Sequence, residues 1–134
     1  MAVDGIASAN TDATNGEFGI GVELRPAHAA GYAALVTLSG EHDLATSDEL
    51  GATLAPIDGN LLVDLSPCEF IDSSVIGVLI GKSSDLAREG NRLELVVPSG
   101  NTMVTRVVDV VGLRSLMPVH HELPSSATAL DTAR

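Results

Sequence analysis

Short apolar runs alternate with helix-like segments along most of this chain, and this alternation restricts its possible folds more than any other feature. Residues 61–65 (LLVDL) and 93–97 (LELVV) have the length and composition of buried strands, and a long segment with helical features separates them. Neighbouring parallel strands need a crossover connection of this kind, which is usually a helix. The alternation therefore predicts an α/β fold with a mostly parallel sheet.

The predicted elements form a sheet of five strands with about four helices. The first two strands, at residues 17–26 and 32–40, flank a loop around Pro26 to Gly31 and are expected to pair as a hairpin. The last strand is predicted at residues 117–121 (MPVHH). Capping residues and apolar spacing predict the four helices at about residues 46–57, 72–89, 101–111 and 125–134.

Capping oxygens indicate where each helix begins, because the first turn of a helix has free backbone N–H groups. Asp72 is predicted to cap the second helix, with Gly90 at its end and Gly112 at the end of the third. Gly77 and Gly81 lie four residues apart on one helix face, which favours close helix–sheet packing over a ligand site. The other predicted caps are Thr46, Ser47 or Asp48 for the first helix, Asn101 or Thr102 for the third, and Ser125 or Ser126 for the fourth.

Length and composition indicate one domain with an aliphatic core. The chain has 134 residues, the usual size of one domain, and aromatic residues make up only 2% of it although 45% is hydrophobic. Residues 1–16 (MAVDGIASANTDATNG) are small and polar and lack a hydrophobic period. We therefore expect a flexible tail at residues 1–16 and a single domain at residues 17–134.

Charge and cysteine content limit which classes of partner the protein can bind and where in the cell we expect it. Seven basic and eighteen acidic residues give a net charge of −11, which would repel nucleic acid and anionic membranes and favour a basic protein surface. No apolar run approaches the roughly 20 residues that span a bilayer, and no signal peptide is visible. Because Cys68 is the single cysteine, no intramolecular disulfide forms. We expect a cytoplasmic protein without membrane insertion or direct nucleic-acid binding.

No pattern in the chain indicates catalysis, a metal or a cofactor. The phosphate-binding G-x-x-x-x-G-K-[ST] loop, a dinucleotide fingerprint placed after a strand, and the G-x-S-x-G nucleophile elbow are all missing. His120 and His121 are adjacent on a predicted strand and so point to opposite faces, which disfavours a metal site. A regulatory or binding protein is therefore expected rather than an enzyme.

The most informative segment is residues 61–81, LLVDLSPCEFIDSSVIGVLIG, in which a strand and a tight connection lead into a helix. With Asp72 as the cap, Ser73 and Ser74 are the first helical residues, where the helix dipole favours negative charge. Ser66 to Ser74 would lie at the carboxyl edge of the sheet, where such folds bind ligands and partners. A phosphate on Ser74 would add about −1.5 to −2 charge there and would act mainly on a partner.

Several blocks in this order resemble STAS domains of the anti-sigma factor antagonist family. They are VDLS and FIDSS followed by GVL, together with GEHDLATSDEL, EGNRLELVVPS and VVGLRSLMPV. The resemblance covers roughly residues 17–133 and implies a STAS-like fold. It also implies partner switching in transcription regulation, as in a stress response: an anti-sigma factor that is a serine kinase phosphorylates and disables the antagonist. A serine/threonine phosphatase restores it, and the unphosphorylated form binds the anti-sigma factor and frees a sigma factor.

Carried onto this sequence, the resemblance implies Ser74 as the phosphorylated residue. Asp43, in GEHDL, matches an acidic position that lies near the phosphorylation site in the family, although it is equally well explained as a cap or turn residue. The partner-binding residues expected from the resemblance are Asp43, Asp72, Ser73, Ser74 and Val75.

Val75 departs from the family pattern, which has glycine directly after the phosphorylated residue. A β-branched side chain there adds bulk beside Ser74 and narrows the approach of a kinase. This slightly favours a second hypothesis, a STAS adaptor subunit of a transporter or sensory assembly that binds regardless of phosphorylation. A third hypothesis is a small-ligand binder or weak enzyme that uses the crevice near residues 66–74. On either alternative, the Ser74 hydroxyl is only a capping group.

Overall fold

The computed structural model describes residues 21–26 and 31–124. The predicted tail at residues 1–16, the start of the first predicted strand and the predicted helix at residues 125–134 lie outside these residues. The described strands are β1 (Gly21–Pro26), β2 (Ala34–His42), β3 (Leu61–Asp64), β4 (Cys68–Ile71), β5 (Leu93–Val96) and β6 (Val119–His120). The described helices are α1 (Leu44–Leu54), α2 (Ser73–Ala87), α3 (Thr102–Val111) and a short 3₁₀ helix, Leu113–Ser115.

The strands form one sheet in the order β1-β2-β3-β5-β6. β1 and β2 pair antiparallel as the predicted hairpin, and the other pairs along this order are parallel. The predicted α/β fold with a mostly parallel sheet is therefore confirmed. The expected count of five strands is wrong by one, because β4 pairs with β2 outside this order. β4 has only four residues, of which the first and last are buried, and this pattern is too short to mark a strand in the sequence.

β4 matters because it brings the segment before α2 next to the end of β2. The pairing begins at Gly40 opposite Cys68, shifts register between Gly40 and Glu41, and ends with His42 opposite Ile71. The backbone N–H of Asp72 then donates to the carbonyl of His42 at 3.2 Å. The N-termini of α1 and α2 therefore start side by side at the same edge of the sheet.

The main core lies between the sheet and the helices. All four residues of β3 and of β5 are buried, as predicted for central strands. Alternate residues of these strands face the helices, whereas Leu62 and Val96 face the opposite side with Leu35. The helices bury Leu50 and Leu54 from α1, Val75, Ile76, Leu79 and Leu86 from α2, and Val104 and Val108 from α3.

Helix α1 begins earlier than predicted. Its N-cap is Asp43, and the predicted caps at residues 46–48 are wrong because these residues lie inside the helix. The Asp43 carboxylate accepts from the N–H of Ala45 at 2.9 Å, and Thr46 Oγ1 accepts from the Asp43 N–H at 3.2 Å. Thr46 thus completes a capping box in the place usually taken by Glu or Gln. The predicted caps Asp72 and Asn101 and the left-handed Gly112 after α3 are confirmed.

Gly77 and Gly81 do not pack on the sheet, so that prediction is wrong. Both are exposed, and a Cβ atom added at either would meet no atom within 4 Å. Helix α2 turns Val75 and Leu79 toward the sheet, which leaves the two glycines on its outer side. Together with Gly51 of α1 they line an open groove of about 310 Å³ between the two helices.

Candidate functional site

The carboxyl edge of the sheet brings two capped helix N-termini together. The Asp72 carboxylate accepts through Oδ1 from the N–H groups of Ser74 at 3.0 Å and Val75 at 3.3 Å. The N–H of Leu44, the first residue of α1, also favours the ionised form of Asp72 and lowers its pKa. Asp72 therefore links α1 and α2, and it places the exposed Asp43 next to the start of α2. Asp43 is therefore a cap residue, as one of the two interpretations of it held, and a role in partner binding stays a prediction.

The Ser74 hydroxyl is bonded to a carboxylate. Ser74 Oγ donates to Asp72 Oδ1 at 2.6 Å, a short distance typical of a charge-assisted hydrogen bond. This bond is the main reason that the pKa of Asp72 is lowered. Desolvation opposes it, and the N–H groups of Val75, Ser74 and Leu44 add to the lowering. Asp72 is consequently ionised at neutral pH, and it fixes the orientation of the Ser74 hydroxyl.

The neighbouring Ser73 has a different environment. Ser73 is exposed, and its hydroxyl makes no hydrogen bond to another described residue, whereas Ser74 is half-buried and bonded to Asp72. Successive residues of a helix point about 100° apart, which separates the two hydroxyls. The two serines of the FIDSS segment are therefore chemically distinct although they are adjacent.

The surface around Ser74 is acidic with an exposed apolar residue. Leu44 is 73% exposed beside Asp43, and Glu69 and Phe70 lie on the exposed part of β4. The nearest lysine on α2, Lys82, donates instead to the carbonyls of Ala55 at 3.3 Å and Ile57 at 2.8 Å after α1. A negative group on Ser74 would thus lie among carboxylates.

Val75 is buried completely in the main core. Its side chain points away from the surface on which Ser74 lies, and only its backbone N–H takes part in the site, as a donor to Asp72. The bulk that distinguishes Val75 from the glycine of the family pattern therefore packs beneath the site rather than over it.

The sequence did not indicate a role for His42. His42 is the last residue of β2 and is 0% exposed. Its Nδ1 lies 3.1 Å from Thr46 Oγ1, and its Nε2 lies 2.9 Å from the carbonyl of Ser39 and 3.1 Å from that of Gly21. His42 thereby ties β1 and β2 to the capping box that orients Asp43. Its position directly before Asp43 in GEHDL is the one signal that could have indicated this role.

The same edge of the sheet contains an open crevice of about 590 Å³. It is lined by the connection from β3 to β4 and the start of α3, namely Ser66, Pro67, Cys68, Glu69, Pro98, Gly100, Asn101, Thr102 and Met103. Asn101 Nδ2 crosses between the two segments and donates to the carbonyl of Cys68 at 2.6 Å. Burial raises the pKa of the Cys68 thiol to about 11, so this thiol is neutral at physiological pH.

The two histidines near the C-terminus have separate partners. His120 Nε2 lies 2.8 Å from Glu94 Oε1, and His121 Nδ1 lies 3.4 Å from the carbonyl of Val97. Within residues 21–26 and 31–124, no three metal-ligating side chains come together. None of the helices in that part of the chain has the length and hydrophobicity needed to cross a membrane.

The fold is a small α/β domain, and its candidate site is a serine hydroxyl bonded to a carboxylate at a helix N-terminus. Both features can be compared with known protein families. The family model described as "Mlab, STAS domain" matches residues 27–118, more than half of the chain. This chain belongs to the STAS domain family, as the resemblance in its sequence indicated.

Individual relatives agree with this assignment. The anti-sigma F factor antagonist of Paenibacillus polymyxa is 29% identical over 102 residues, which span 72% of this chain and 86% of that protein. The crystal structure of an anti-sigma factor antagonist from Mycobacterium paratuberculosis has a TM-score of 0.69 at 23% identity, covering 84% of this chain and 94% of that one. The Bacillus cell fate determinant SpoIIAA, solved in its phosphorylated form, has a TM-score of 0.59 at 21% identity, covering 85% and 100%. The two structures show that the fold is shared.

Proposed function

We propose that this protein is a cytoplasmic anti-sigma factor antagonist controlled by phosphorylation of Ser74. Its unphosphorylated form binds a kinase-type anti-sigma factor and so frees a sigma factor for transcription. The kinase disables it by phosphorylating Ser74, and a serine/threonine phosphatase restores it. The observation that carries the proposal is the 2.6 Å hydrogen bond from Ser74 Oγ to Asp72 Oδ1. The relative named anti-sigma F factor antagonist supports the class of partner.

The geometry suits Ser74 as a phosphoryl acceptor. Phosphoryl transfer depends mainly on positioning and charge stabilisation, and a hydroxyl held by a carboxylate presents an oriented lone pair to the phosphorus atom. The Ser74 oxygen would bond to the γ-phosphorus of ATP, ADP would leave, and the proton would pass toward Asp72. Ser73 lacks this carboxylate contact, which favours Ser74 over its neighbour.

The surroundings of Ser74 explain how phosphate would prevent binding. It would add about −1.5 to −2 charge within hydrogen-bonding distance of Asp72 and close to Asp43. A partner shaped for the neutral Ser74 hydroxyl, with a pocket for Leu44, would then bury a phosphate that must be desolvated beside Asp72 and that has no basic group of its own to pair with. We propose that Asp43, Asp72, Ser73 and Ser74 contact the partner, with Val75 supporting them from beneath.

A binding assay with purified components tests this proposal. The kinase-type anti-sigma factor encoded in the same genome would be titrated, without ATP, against wild type, Ser74→Ala, Ser74→Asp and the matched control Ser73→Asp. We expect Ser74→Asp to weaken binding by about tenfold or more, because the added carboxylate lies beside Asp72 and must lose its hydration at the interface without a partner to pair with. Ser74→Ala should bind as wild type does, and Ser73→Asp should retain most of the affinity.

Two results would contradict the phosphorylation switch. Equal binding of all four proteins would favour the STAS adaptor that ignores phosphorylation. Equal loss in Ser73→Asp and Ser74→Asp would show that any added charge disturbs this surface, so that Ser74 has no special role. Incubation with Mg-ATP and mass spectrometry then tests the chemistry directly, since the proposal requires phosphate on Ser74.

A further inference from the structure

A second serine in the chain has the same arrangement as Ser74. Ser66 Oγ donates to Asp64 Oδ1 at 2.5 Å, and the Ser66 backbone N–H donates to the same oxygen at 2.9 Å. The corresponding distances from Ser74 to Asp72 Oδ1 are 2.6 and 3.0 Å. Each serine follows its aspartate by two residues, and each aspartate lies at or just after the carboxyl end of a strand.

These two hydroxyls differ from the other serine and threonine hydroxyls of the described residues in the group that accepts their hydrogen bond. Where the others donate a hydrogen bond, the acceptor is a backbone carbonyl, as for Ser47, Thr53 and Ser115. Only Ser66 and Ser74, within residues 21–26 and 31–124, donate to a carboxylate. The feature that favours phosphoryl transfer to Ser74 is therefore present a second time.

Ser66 is also accessible. It is exposed and lies at the mouth of the 590 Å³ crevice, whereas its partner Asp64 is only 8% exposed at the end of β3. The buried carboxylate is held by its strand, so the hydroxyl has a fixed orientation while its outer side faces open space. Glu69 is the one charged residue that lines the crevice, and no basic side chain there would neutralise a phosphate.

We propose that Ser66 is a second phosphorylation site, with a nucleoside triphosphate as the phosphoryl donor. The inference rests on the proposed function, because it assigns the kinase that acts on Ser74 to Ser66 as well. In the reaction, Ser66 Oγ bonds to the γ-phosphorus, the bond from that phosphorus to the bridging β-phosphate oxygen breaks, and the nucleoside diphosphate leaves. The hydroxyl proton passes to Asp64 and then to solvent. Phosphate at both sites would add about −3 to −4 charge to one edge of the sheet.

Digestion after glutamate residues places Ser66 and Ser74 in different peptides, because Glu69 lies between them, and mass spectrometry can then measure each peptide. Cleavage after Glu49, Glu69 and Glu89 yields residues 50–69, whose hydroxyl side chains are Thr53 and Ser66, and residues 70–89, which contain Ser73, Ser74, Ser83 and Ser84. Fragmentation of each phosphorylated peptide then identifies the modified residue. Wild type, Ser74→Ala and Ser66→Ala would be incubated with the purified kinase-type anti-sigma factor and Mg-ATP before this digestion. We expect Ser74→Ala to take up phosphate in residues 50–69 only, and Ser66→Ala in residues 70–89 only.

Two matched variants test the role of the carboxylates. Asp64→Asn should slow phosphorylation of residues 50–69 by about tenfold or more and leave residues 70–89 unchanged, while Asp72→Asn should do the reverse. Circular dichroism and thermal unfolding of each variant would establish that it is folded, and Ser66→Ala provides the readout if Asp64→Asn is not. Phosphate in residues 70–89 alone would overturn this inference and leave the proposed function standing. No phosphate in wild type would overturn both.

Discussion

Asn101 provides a quantitative test of how this edge of the sheet is held together. Its Oδ1 accepts from the N–H of Val104 at 3.2 Å and caps α3, while its Nδ2 donates to the carbonyls of Cys68 at 2.6 Å and Leu65 at 3.4 Å. One side chain therefore joins the start of α3 to the connection that carries Ser66. Replacing it removes a helix cap and a cross-link between two segments at once.

The two contributions can be estimated separately. Loss of an Asn cap costs about 1 kcal/mol, and loss of the 2.6 Å bond to the Cys68 carbonyl costs about 1 kcal/mol more. Asn101→Ala should therefore lower the free energy of unfolding by about 2 kcal/mol. Asn101→Ser is the matched control, because serine keeps a capping oxygen but lacks the amide NH₂ that donates to the Cys68 carbonyl; it should cost about 1 kcal/mol.

Urea denaturation followed by circular dichroism would measure both values. We expect the midpoints to fall in the order wild type, Asn101→Ser, Asn101→Ala, with an unchanged slope if the denatured state is unaffected. Equal losses for the two variants would show that the cap contributes nothing. A loss below about 0.5 kcal/mol for Asn101→Ala, the range of an ordinary surface substitution, would refute the assignment of Asn101 as a structural link.

Three further predictions address other parts of the molecule. Burial alone would raise the pKa of Glu94, but hydrogen bonds from Arg92, His120 and Tyr32 lower it overall. The ionised Glu94 therefore stabilises the fold above the pKa of an unfolded glutamate, about 4.3. This stabilisation is lost as the pH falls through the lower pKa of the folded state. Glu94→Gln should thus flatten the acid limb of a stability–pH curve, and an unchanged limb would argue against this. Gly77→Ala should raise the free energy of unfolding in urea by about 0.5–1 kcal/mol, whereas Gly112→Ala, at φ 81°, should lower it by about 1 kcal/mol; the opposite signs would contradict the observed backbone. The Cys68 thiol, with its pKa raised to about 11, should react with a thiol reagent only after unfolding, and fast reaction of the native protein would refute its burial.

The sequence predicted the elements whose signal is local and left out those that depend on tertiary pairing. β3 and β5 were recognisable because three of the four residues in each are apolar, and Asp72 because a polar residue precedes a long apolar helix. β4 was missed because its four residues form a strand only by pairing with the end of β2. The start of α1 was predicted too late in the sequence, because several residues that can cap a helix follow one another there. Only the fold shows that Asp43 is the cap.

The candidate site, too, was predictable only where its signal is local in the sequence. The FIDSS segment placed Ser73 and Ser74 at the first turn of α2, but not which hydroxyl bonds to Asp72. That distinction depends on helix rotation, which the burial of Val75 sets. A position for Asp43 near the start of α2, where Ser74 lies, was implied by family resemblance alone; physically, the pairing of His42 with Ile71 brings the two helix N-termini together.

The spacing of aspartate and serine could nevertheless have been recognised in the sequence. An aspartate that accepts from the backbone N–H two residues later is a common local turn, and a serine at that second position brings its hydroxyl to the same oxygen. Asp64-Leu65-Ser66 and Asp72-Ser73-Ser74 both have this spacing, at either end of one short connection. If carboxylate contact is what makes a hydroxyl a good acceptor, the two serines should respond alike when their aspartates become asparagines. If helix position is what matters, only Ser74 should accept phosphate, because Ser66 does not lie in a helix.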